Sequence, residues 1–256
     1  MSQSKIEWTD WTINPVKGKC PMACPYCYAR GMYDDFKWNP KVRFCPSVFN
    51  ELPKKPVRVF VGSTMELFLF DDWMEFILNR CQDFPQHTFM FLTKLPEKLP
   101  QWSPFPTNCQ VGISATDPLM FAAAYYHLVN VTAIVKYISL EPLLSWDLRV
   151  TVPFIRQAVQ AGLGWLIIGA LTSKKSKIME LAKQYPDLTP MLWGRKWTLQ
   201  PKIEWVEEIV RATVRSGIPV FLKPNLMPLM EASFGRGNYL SPVLNNDGDL
   251  RQEIPG

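Results

Sequence analysis

Short runs of consecutive apolar residues recur along the chain and alternate with segments whose apolar residues are spaced as on one face of a helix. Continuous apolar runs are typical of strands that are buried on both faces, as in parallel sheets. The runs predict strands at Trp11–Asn14, Val57–Val61, Thr88–Leu92, Gln110–Ser114, Ile134–Leu140, Trp165–Gly169 and Ile218–Leu222. The helical spacing predicts helices at Asp71–Cys81, Pro118–Val129, Pro153–Gln160 and Ile203–Ser216.

This alternation of strands and helices indicates β–α units and a parallel sheet. We therefore expect an α/β fold, a full or partial (β/α) TIM-like barrel, in a single domain over residues 1–256. Residues 173–202 are polar and less regular, and we expect an inserted loop or lid there, between two late strands. Residues 231–256 contain Gly235-Arg-Gly-Asn and Asn245-Asn-Asp-Gly, which predict an irregular, turn-rich tail that is mobile.

Composition restricts the class of protein. Apolar residues make up 47% of the chain and charged residues 20%, which is an ordinary balance for a soluble globular protein. No apolar run is long enough to cross a bilayer, and the first ten residues lack the apolar stretch of a secretion signal. Six cysteines in 256 residues are sparse for a disulfide scaffold. We expect a cytoplasmic protein in a reducing compartment, without a membrane partner.

Three cysteines lie in one short loop, Cys20-Pro-Met-Ala-Cys24-Pro-Tyr-Cys27. Cysteine thiolates are the ligands of cubane iron–sulfur clusters. A loop that offers three thiolates rather than four can hold a 4Fe–4S cluster by three irons and leave the fourth open to a small molecule. Enzymes that cleave S-adenosylmethionine into a radical use this arrangement, and Tyr26 occupies a position where they favour an aromatic residue.

Structural zinc is the alternative interpretation of the same loop. Zinc sites also use closely spaced cysteines, but they need four ligands in total. The fourth would have to come from Cys45, Cys81, Cys109, His87 or His127, none of which forms a second closely spaced pair. His87 and His127 are more typical of structural histidines, and the other three cysteines of packing residues.

The excess positive charge lies around the cysteine loop. Residues 1–60 hold ten Lys and Arg against five acidic residues, whereas the remaining 196 residues hold eighteen of each. Aromatic residues are interleaved there, at Trp8, Trp11, Tyr26, Tyr28, Tyr33, Phe36, Trp38 and Phe44. Basic and stacking groups together are typical of surfaces that receive a nucleic acid or nucleotide. A solvated basic face over an aromatic-rich core is the other explanation.

Polar residues follow most of the predicted strands, where a parallel barrel gathers its functional groups. Gly62-Ser63-Thr64 follow the second strand, Lys94 the third, Ser114 ends the fourth, and Glu141 and Lys223 follow the fifth and the last. Of these, Lys94, Glu141 and Lys223 are the candidate catalytic groups. Each position also has an ordinary explanation, since Gly62 and Ser63 can form a tight turn, Ser114 can cap a helix, and the charged side chains can be exposed.

With these residues, the chain resembles an uncharacterised radical-SAM-like family that is common in phages and prophages and known for its three-cysteine motif. The matching phrases, in order, are Lys5–Asp10, Trp11–Pro15, the cysteine loop with Tyr28-Ala29, Val61-Gly-Ser, Leu92-Thr-Lys, Val111–Ser114, Ile138–Leu144, Ile168-Gly-Ala and Val220–Lys223. The resemblance implies a partial (β/α) barrel of the radical SAM type, a 4Fe–4S cluster, S-adenosylmethionine and an electron donor such as flavodoxin.

The resemblance also implies roles for single residues. Cys20, Cys24 and Cys27 would ligate three irons, and the backbone near Tyr26 would approach the adenine of S-adenosylmethionine. The turn after the second strand would bind the methionine amino group; this chain has Gly62-Ser63-Thr64 where the superfamily usually has two glycines and an acid. Ser114 would match a ribose contact, and the strand ending in Glu141 would pack against the adenosine. The substrate would be a nucleic acid or a nucleotide base, in phage DNA modification or repair. A zinc- or cluster-containing nucleic-acid-binding protein without radical chemistry is the alternative.

Overall fold

The computed structural model describes residues 2–4, 6–234, 241–245 and 247–255. Its residues divide into two compact units, the first formed by Met1–Ile113 and Asn130–Lys136 and the second by Ser114–Val129 and Tyr137–Gly256. The expectation of one domain over residues 1–256 stays a prediction. Lys5 of the first matching phrase, the Gly235–Asn238 turn sequence and Asn246 lie outside the described residues.

The first unit is built on parallel strands. Its strands and helices, in chain order, are β1 Ser2–Gln3, β2 Trp11–Ile13, β3 Val16–Lys17, α1 Tyr28–Asp35, β4 Arg43–Phe44, β5 Arg58–Val61, α2 Asp71–Gln82, β6 Thr88–Thr93 and β7 Cys109–Ser114. Short 3-10 helices lie at Pro46–Glu51, Leu67–Leu69, Pro96–Lys98 and Pro100–Trp102. Strands β1, β2, β5, β6 and β7 pair in that order, in parallel from β2 onwards, while β3 and β4 form a separate antiparallel ribbon.

The register of these strands explains why their polar ends meet. Ile13, Val61, Phe91 and Val111 are consecutive partners across β2, β5, β6 and β7, and each is at most 2% exposed. Because the strands are parallel and in this register, the residues that follow them lie at one edge of the sheet. That edge receives Asn14, the turn starting at Gly62, and Lys94.

The second unit contains the remaining elements, in chain order α3 Pro118–Leu128, β8 Val135–Leu140, α4 Thr151–Gln160, β9 Leu163–Ile168, β10 Leu171–Ser173, α5 Lys175–Gln184, β11 Thr189–Trp193, β12 Lys196–Gln200, α6 Ile203–Arg215, β13 Val220–Leu222 and α7 Met227–Phe234. Two 3-10 helices lie at Leu148–Val150 and Pro224–Leu226. Strands β8, β9 and β13 pair in that order, and β13 is parallel to β9 with Leu222 opposite Ile168.

The predicted strands and helices are confirmed to within two residues at each end. Helix α3 begins where predicted because of its local sequence. Asp117 accepts a hydrogen bond from the backbone N–H of Met120 at 2.9 Å, and Pro118 occupies the first turn. Helix α6 forms where predicted because its apolar residues lie on one face. That face buries Trp205, Val206, Ile209 and Val210.

Residues 173–202 do not form an irregular loop, contrary to the expectation for that segment. Helix α5 and strands β11 and β12 lie there, and β12 pairs with both β10 and β11 in an antiparallel sheet. Gly194 has φ +58° at the first position of the two-residue turn between β11 and β12, a conformation that glycine adopts at little cost. The position of the insertion, between β9 and β13, agrees with the prediction.

Residues 231–234 of the predicted irregular tail belong to helix α7, contrary to the expectation, whereas residues 241–245 and 247–255 have little regular structure but are attached to the sheet. Gln252 forms a bridge with Phe221 of β13, and the backbone carbonyl of Glu253 accepts a hydrogen bond from the indole N–H of Trp165 at 2.9 Å. No helix among the described residues is long and apolar enough to cross a membrane.

Candidate functional site

The cysteine loop connects β3 to α1 in the first unit. All six cysteines of the chain are free thiols, and the three in the loop are partly buried. Cys27 stands at the N-terminal end of α1, and its backbone N–H donates to the carbonyl of Cys24 at 3.0 Å. Ala23 has φ +49°, a left-handed conformation that costs a non-glycine residue about 1–2 kcal/mol. The loop therefore holds an unfavourable backbone conformation between its first two cysteines.

The three thiols of the loop interact electrostatically. Burial raises the pKa of Cys24, the cation of Lys94 opposes that increase, and the neighbouring Cys27 and Cys20 raise the pKa further. The ammonium of Lys94 also lies 5.6 Å from the centroid of the Tyr26 ring. The loop thus combines three sulfur donors with one cation, and a nearby cation favours the thiolate form that metals require.

The turn after β5 is shaped by Gly62 and held by Asn14. Gly62 has φ +82°, and a Cβ on it would lie 2.6 Å from the side chain of Leu67, so only glycine fits. The side-chain oxygen of Asn14 accepts hydrogen bonds from the hydroxyl of Ser63 and from both the backbone N–H and the hydroxyl of Thr64, at 3.2–3.3 Å. One amide oxygen at the end of β2 therefore fixes the predicted cofactor-binding turn.

Glu66 joins this turn to the cysteine loop and to the end of β6. Its backbone N–H donates to the sulfur of Cys20 at 3.4 Å. Its carboxylate, in a residue only 7% exposed, accepts from the hydroxyl of Thr93 and from the backbone N–H of Lys94, both at 2.8 Å. Burial raises the pKa of Glu66, against the opposing effect of these hydrogen bonds. Through Glu66, three separate segments of the first unit are held together.

Two further hydrogen bonds attach the loop and α1 to their surroundings. The guanidinium of Arg30 donates to the backbone carbonyl of Cys20 at 2.7 Å, and the hydroxyl of Tyr28 donates to the carbonyl of Ser63 at 3.0 Å. The first unit thus brings together the predicted site residues Cys20, Cys24, Cys27, Tyr26, Gly62, Ser63, Thr64 and Lys94. It adds Asn14, Glu66, Thr93 and Arg30 through the hydrogen bonds that they form with these residues or their neighbours.

The second unit brings together the other predicted site residues. Lys223, which follows β13, forms an ion pair with the carboxylate of Glu141, which follows β8. Gly169 makes room for this pair, because a Cβ there would lie 3.0 Å from the Lys223 side chain and 3.3 Å from that of Glu141. The hydroxyl of Ser114 donates to the backbone carbonyl of Glu141 at 3.4 Å and is nearly fully buried. The exposed Glu141 and Lys223 that the ordinary explanation assumed are therefore a paired, largely buried set.

Asn225 adds a polar connection in the same unit. Its side chain exchanges hydrogen bonds with the backbone of Ala170, at 2.7 Å and 3.1 Å, and donates to the hydroxyl of Thr172 at 3.2 Å. Its backbone carbonyl accepts from the side-chain amide of Gln200 at 2.7 Å. The end of β9, the start of β10 and the residues after β13 are held in one hydrogen-bonded group.

Three of the five remaining candidate metal ligands are placed as packing residues, whereas Cys45 and His127 are partly exposed. Cys81, Cys109 and His87 are at most 1% exposed, and the ring nitrogen Nδ1 of His87 accepts from the backbone N–H of Val57 at 3.3 Å. Within the part of the chain that the structure describes, no three His, Cys, Asp or Glu side chains converge on a point suited to a single metal ion. Ligation by Cys20, Cys24 and Cys27 stays a prediction.

Solved structures define the fold class. The chain is similar to spore photoproduct lyase complexed with dinucleoside spore photoproduct, with a TM-score of 0.58, 13% sequence identity, and coverage of 87% of this chain and 79% of that one. It is also similar to a variant of spore photoproduct lyase with bound AdoMet and dinucleoside spore photoproduct, with a TM-score of 0.54, 13% identity, and coverage of 86% and 78%. The fold is therefore α/β, a partial (β/α) barrel with a parallel sheet, as predicted, and it is similar to the fold of spore photoproduct lyase.

The family follows from sequence. Residues 3–184 match the family described as protein of unknown function DUF5131, and the chain belongs to that family. No curated protein matches the chain in sequence. The expectation of an uncharacterised family is confirmed, whereas its association with phages stays a prediction.

Proposed function

We propose that this protein is a radical SAM enzyme in which Cys20, Cys24 and Cys27 ligate three irons of a 4Fe–4S cluster. The observation that carries the proposal is the cysteine loop itself: three free thiols beside one cation, with the backbone N–H of Glu66 donating to the sulfur of Cys20. Hydrogen bonds to ligating sulfurs are among the features that set the potential of such clusters.

The donor set fits a cubane better than it fits zinc. Each thiolate of a three-cysteine loop binds a different iron of a cubane, so the sulfurs need not converge on one point. A structural zinc ion needs four ligands around one centre. The candidates for that fourth ligand include Cys81, Cys109 and His87, all of which are buried in packing positions.

The chain's own residues would bind and orient the cofactor. The cluster and S-adenosylmethionine supply, when bound, a 5′-deoxyadenosyl radical after one electron arrives from a donor such as flavodoxin. The backbone near Tyr26 would approach the adenine, and Gly62, Ser63 and Thr64 would bind the methionine end. The oxygen of Asn14 would keep this turn in place, since it already accepts hydrogen bonds from Ser63 and Thr64.

Roles for the second unit follow from the same resemblance. Ser114 would contact the ribose, and the strand that ends at Glu141 would pack against the adenosine. We propose Lys94, Glu141 and Lys223 as the charged groups that contact the substrate. Glu141 and Lys223 form an ion pair, which would keep both side chains oriented.

We further propose that the substrate is a nucleic acid or a nucleotide base. The support is the concentration of positive charge and aromatic residues in residues 1–60, together with the dinucleoside spore photoproduct bound in the structurally similar lyase. The phage association implied by the resemblance fits modification or repair of phage DNA. A cytoplasmic location fits a loop of free thiols, because that compartment keeps thiols reduced.

Anaerobic reconstitution tests the proposal. Iron and sulfide analysis should find one 4Fe–4S cluster per chain, and reduction in the presence of S-adenosylmethionine should release 5′-deoxyadenosine. Cys24→Ala should abolish cluster loading and leave the circular dichroism spectrum unchanged. Cys45→Ala is the matched control, because Cys45 is also a partly buried free thiol but lies outside the loop.

Three outcomes would overturn the proposal in different ways. Stoichiometric zinc without sulfide would support a zinc-containing nucleic-acid-binding protein. A fully loaded cluster that yields no 5′-deoxyadenosine would support a sensor or partner subunit that no longer cleaves the cofactor. Equal loss of iron in Cys24→Ala and Cys45→Ala would show that the loop is not a dedicated site.

A further inference from the structure

Two aromatic side chains are exposed on the segment that follows α1. Phe36 is 62% exposed and Trp38 is 44% exposed. Their rings stack on each other, with centroids 5.4 Å apart and an angle of 25° between the planes. Leaving this much aromatic surface in water has a cost, which a ligand that covers the rings would recover.

The backbone around these rings is fixed before any ligand arrives. The backbone N–H groups of Phe36 and Trp38 donate to the carbonyls of Met32 and Tyr33, at 2.9 Å and 3.0 Å. The Tyr33 ring packs against Trp38 edge to face at 5.4 Å, and its buried hydroxyl accepts from the backbone N–H of Gly18 at 2.8 Å. Because the rings are already held in place, binding to them would cost little conformational entropy.

Cationic residues lie close to Phe36 and Trp38 in the sequence. Lys37, Lys41 and Arg43 are exposed in the sequence that follows Phe36. The guanidinium of Arg43 donates to the backbone carbonyls of Asn39 and Lys41, at 3.4 Å and 3.3 Å, which keeps it on this surface. Residues 17–43 contain six Lys and Arg against two Asp, and one of those two, Asp34, is paired with Lys19. The surface therefore complements a polyanion.

We propose that the aromatic–basic platform, formed by Phe36, Lys37, Trp38, Lys41 and Arg43, binds an unpaired stretch of nucleic acid. The bases would stack on the two rings and the phosphates would lie near the three cations. This inference rests on the proposed function for its substrate class, and it narrows that class from nucleic acid in general to single-stranded or locally unpaired nucleic acid.

The chemistry of the platform favours a single strand over a duplex. In a duplex the faces of the bases are covered by their neighbours, whereas an unpaired base presents a free face that an aromatic side chain can cover. Reading a duplex groove requires an element that enters it and donors or acceptors aimed at base edges. A flat pair of rings flanked by cations provides stacking and phosphate contacts instead.

The test is binding of a labelled oligothymidine and of a blunt duplex of equal length, followed by fluorescence anisotropy with the anaerobic, cluster-loaded protein. The wild-type protein should bind the single strand more tightly than the duplex. Phe36→Ala with Trp38→Ala should weaken single-strand binding by about tenfold or more, since stacking contributes about 1–3 kcal/mol per base. Phe36→Tyr with Trp38→Phe should restore most of the affinity, because both rings remain.

Matched controls separate the platform from general effects of charge and exposure. Lys37→Gln with Lys41→Gln should lower the slope of log affinity against log salt by about 1.4. Lys54→Gln with Lys55→Gln removes the same charge from exposed positions elsewhere in residues 1–60 and should leave the slope nearly unchanged. Tyr126→Ala removes an aromatic residue that is 70% exposed and should leave the affinity unchanged.

Several results would overturn the inference. These are a preference for the duplex, no binding of either probe, no loss in the double aromatic variant, or equal losses in the two lysine pairs. Release of 5′-deoxyadenosine without single-strand binding would refute the platform and leave the proposed chemistry standing. Single-strand binding by a loaded protein that releases no 5′-deoxyadenosine would refute the chemistry and leave the platform standing.

Discussion

Removing the carboxylate of Glu66 should destabilise the first unit. Replacement by alanine leaves the hydroxyl of Thr93 and the backbone N–H of Lys94 without the acceptor they have at 2.8 Å. Leaving a buried donor unsatisfied costs about 1–3 kcal/mol, so two of them cost about 2–6 kcal/mol. Burial of the carboxylate is itself unfavourable and raises the pKa of Glu66. Removing the carboxylate also removes this unfavourable burial, which offsets part of the cost of the unsatisfied donors. We therefore expect a net decrease of about 2–3 kcal/mol in the free energy of unfolding.

The pH dependence gives an independent check. Because the pKa of Glu66 is higher in the folded protein than in the unfolded chain, the folded protein binds the proton more tightly. The stability due to this group is therefore full below its unfolded pKa and is lost as the pH rises through the folded pKa. Glu66→Gln does not titrate. The free energy of unfolding of the wild type relative to Glu66→Gln should consequently decrease as the pH rises from below the ordinary glutamate pKa of about 4.3 through the raised pKa of the folded protein.

Urea unfolding followed by tryptophan fluorescence measures both effects. Glu75→Ala is the matched control, because Glu75 is an exposed carboxylate on α2, and its replacement should change stability by less than about 0.5 kcal/mol. Equal destabilisation by Glu66→Ala and Glu75→Ala would refute the reasoning. A free energy of unfolding of the wild type that increases relative to that of Glu66→Gln as the pH rises would also refute it. If Glu66→Ala does not fold, the pH series with Glu66→Gln still decides.

The remaining predictions concern the turn after β5 and the ion pair of the second unit. Gly62→Ala should lower the free energy of unfolding by about 2–4 kcal/mol, because φ is +82° and the new Cβ would lie 2.6 Å from the Leu67 side chain. Gly31→Ala, inside α1 where a Cβ meets nothing within 4 Å, should instead raise it by about 0.5–1 kcal/mol, and urea titrations that show equal effects would contradict this. A double-mutant cycle with Lys223→Met and Glu141→Gln should give a coupling energy of about 1–2 kcal/mol for their ion pair, and a coupling near zero would show that the pair contributes nothing.

Strands and helices with strong apolar patterns could be predicted, because the burial of their apolar residues determines which secondary structure they form. Strands β5, β6 and β9 consist largely of consecutive apolar residues, and the structure buries most of their residues. A run that is apolar on both faces has no stable place except inside a sheet that is covered on both sides. The same reasoning predicted the partial barrel, because the strands alternate along the chain with amphipathic helices such as α6.

The elements that were missed have weak or mixed patterns. Helix α5 buries only Ile178 and Leu181, and its other residues are largely polar, so its sequence has no clear helical pattern of apolar residues. Helix α1 contains Gly31 and ends in two aspartates, which lowers its helical propensity. Apolar and polar residues alternate only partly along strands β11 and β12, and the pairing of these strands depends on the turn at Gly194. Short elements of this kind are stabilised by their neighbours rather than by their own sequence.

The site shows the same division. The cysteine spacing identified Cys20, Cys24 and Cys27 as candidate ligands without any knowledge of the fold. The strand-end rule identified Ser63 and Lys94, because parallel strands gather their carboxyl ends at one edge. Glu66 also lies in a segment that follows a strand, so the same rule includes it. Its local sequence does not show that the carboxylate points inward and contacts Thr93 and Lys94, which lie 27 and 28 residues further along the chain.

The order of apolar and polar residues, by itself, determined the strands and helices with strong patterns, and the spacing of the cysteines predicted the kind of ligand set. Both are local properties, since hydrophobic periodicity and ligand spacing are read within a few turns of chain. The pairing of Glu141 with Lys223, the burial of Glu66 and the exposed stack of Phe36 on Trp38 were decided only by tertiary structure. Each depends on which distant residues come to lie next to a side chain or leave it in water, and that is settled when the whole core packs.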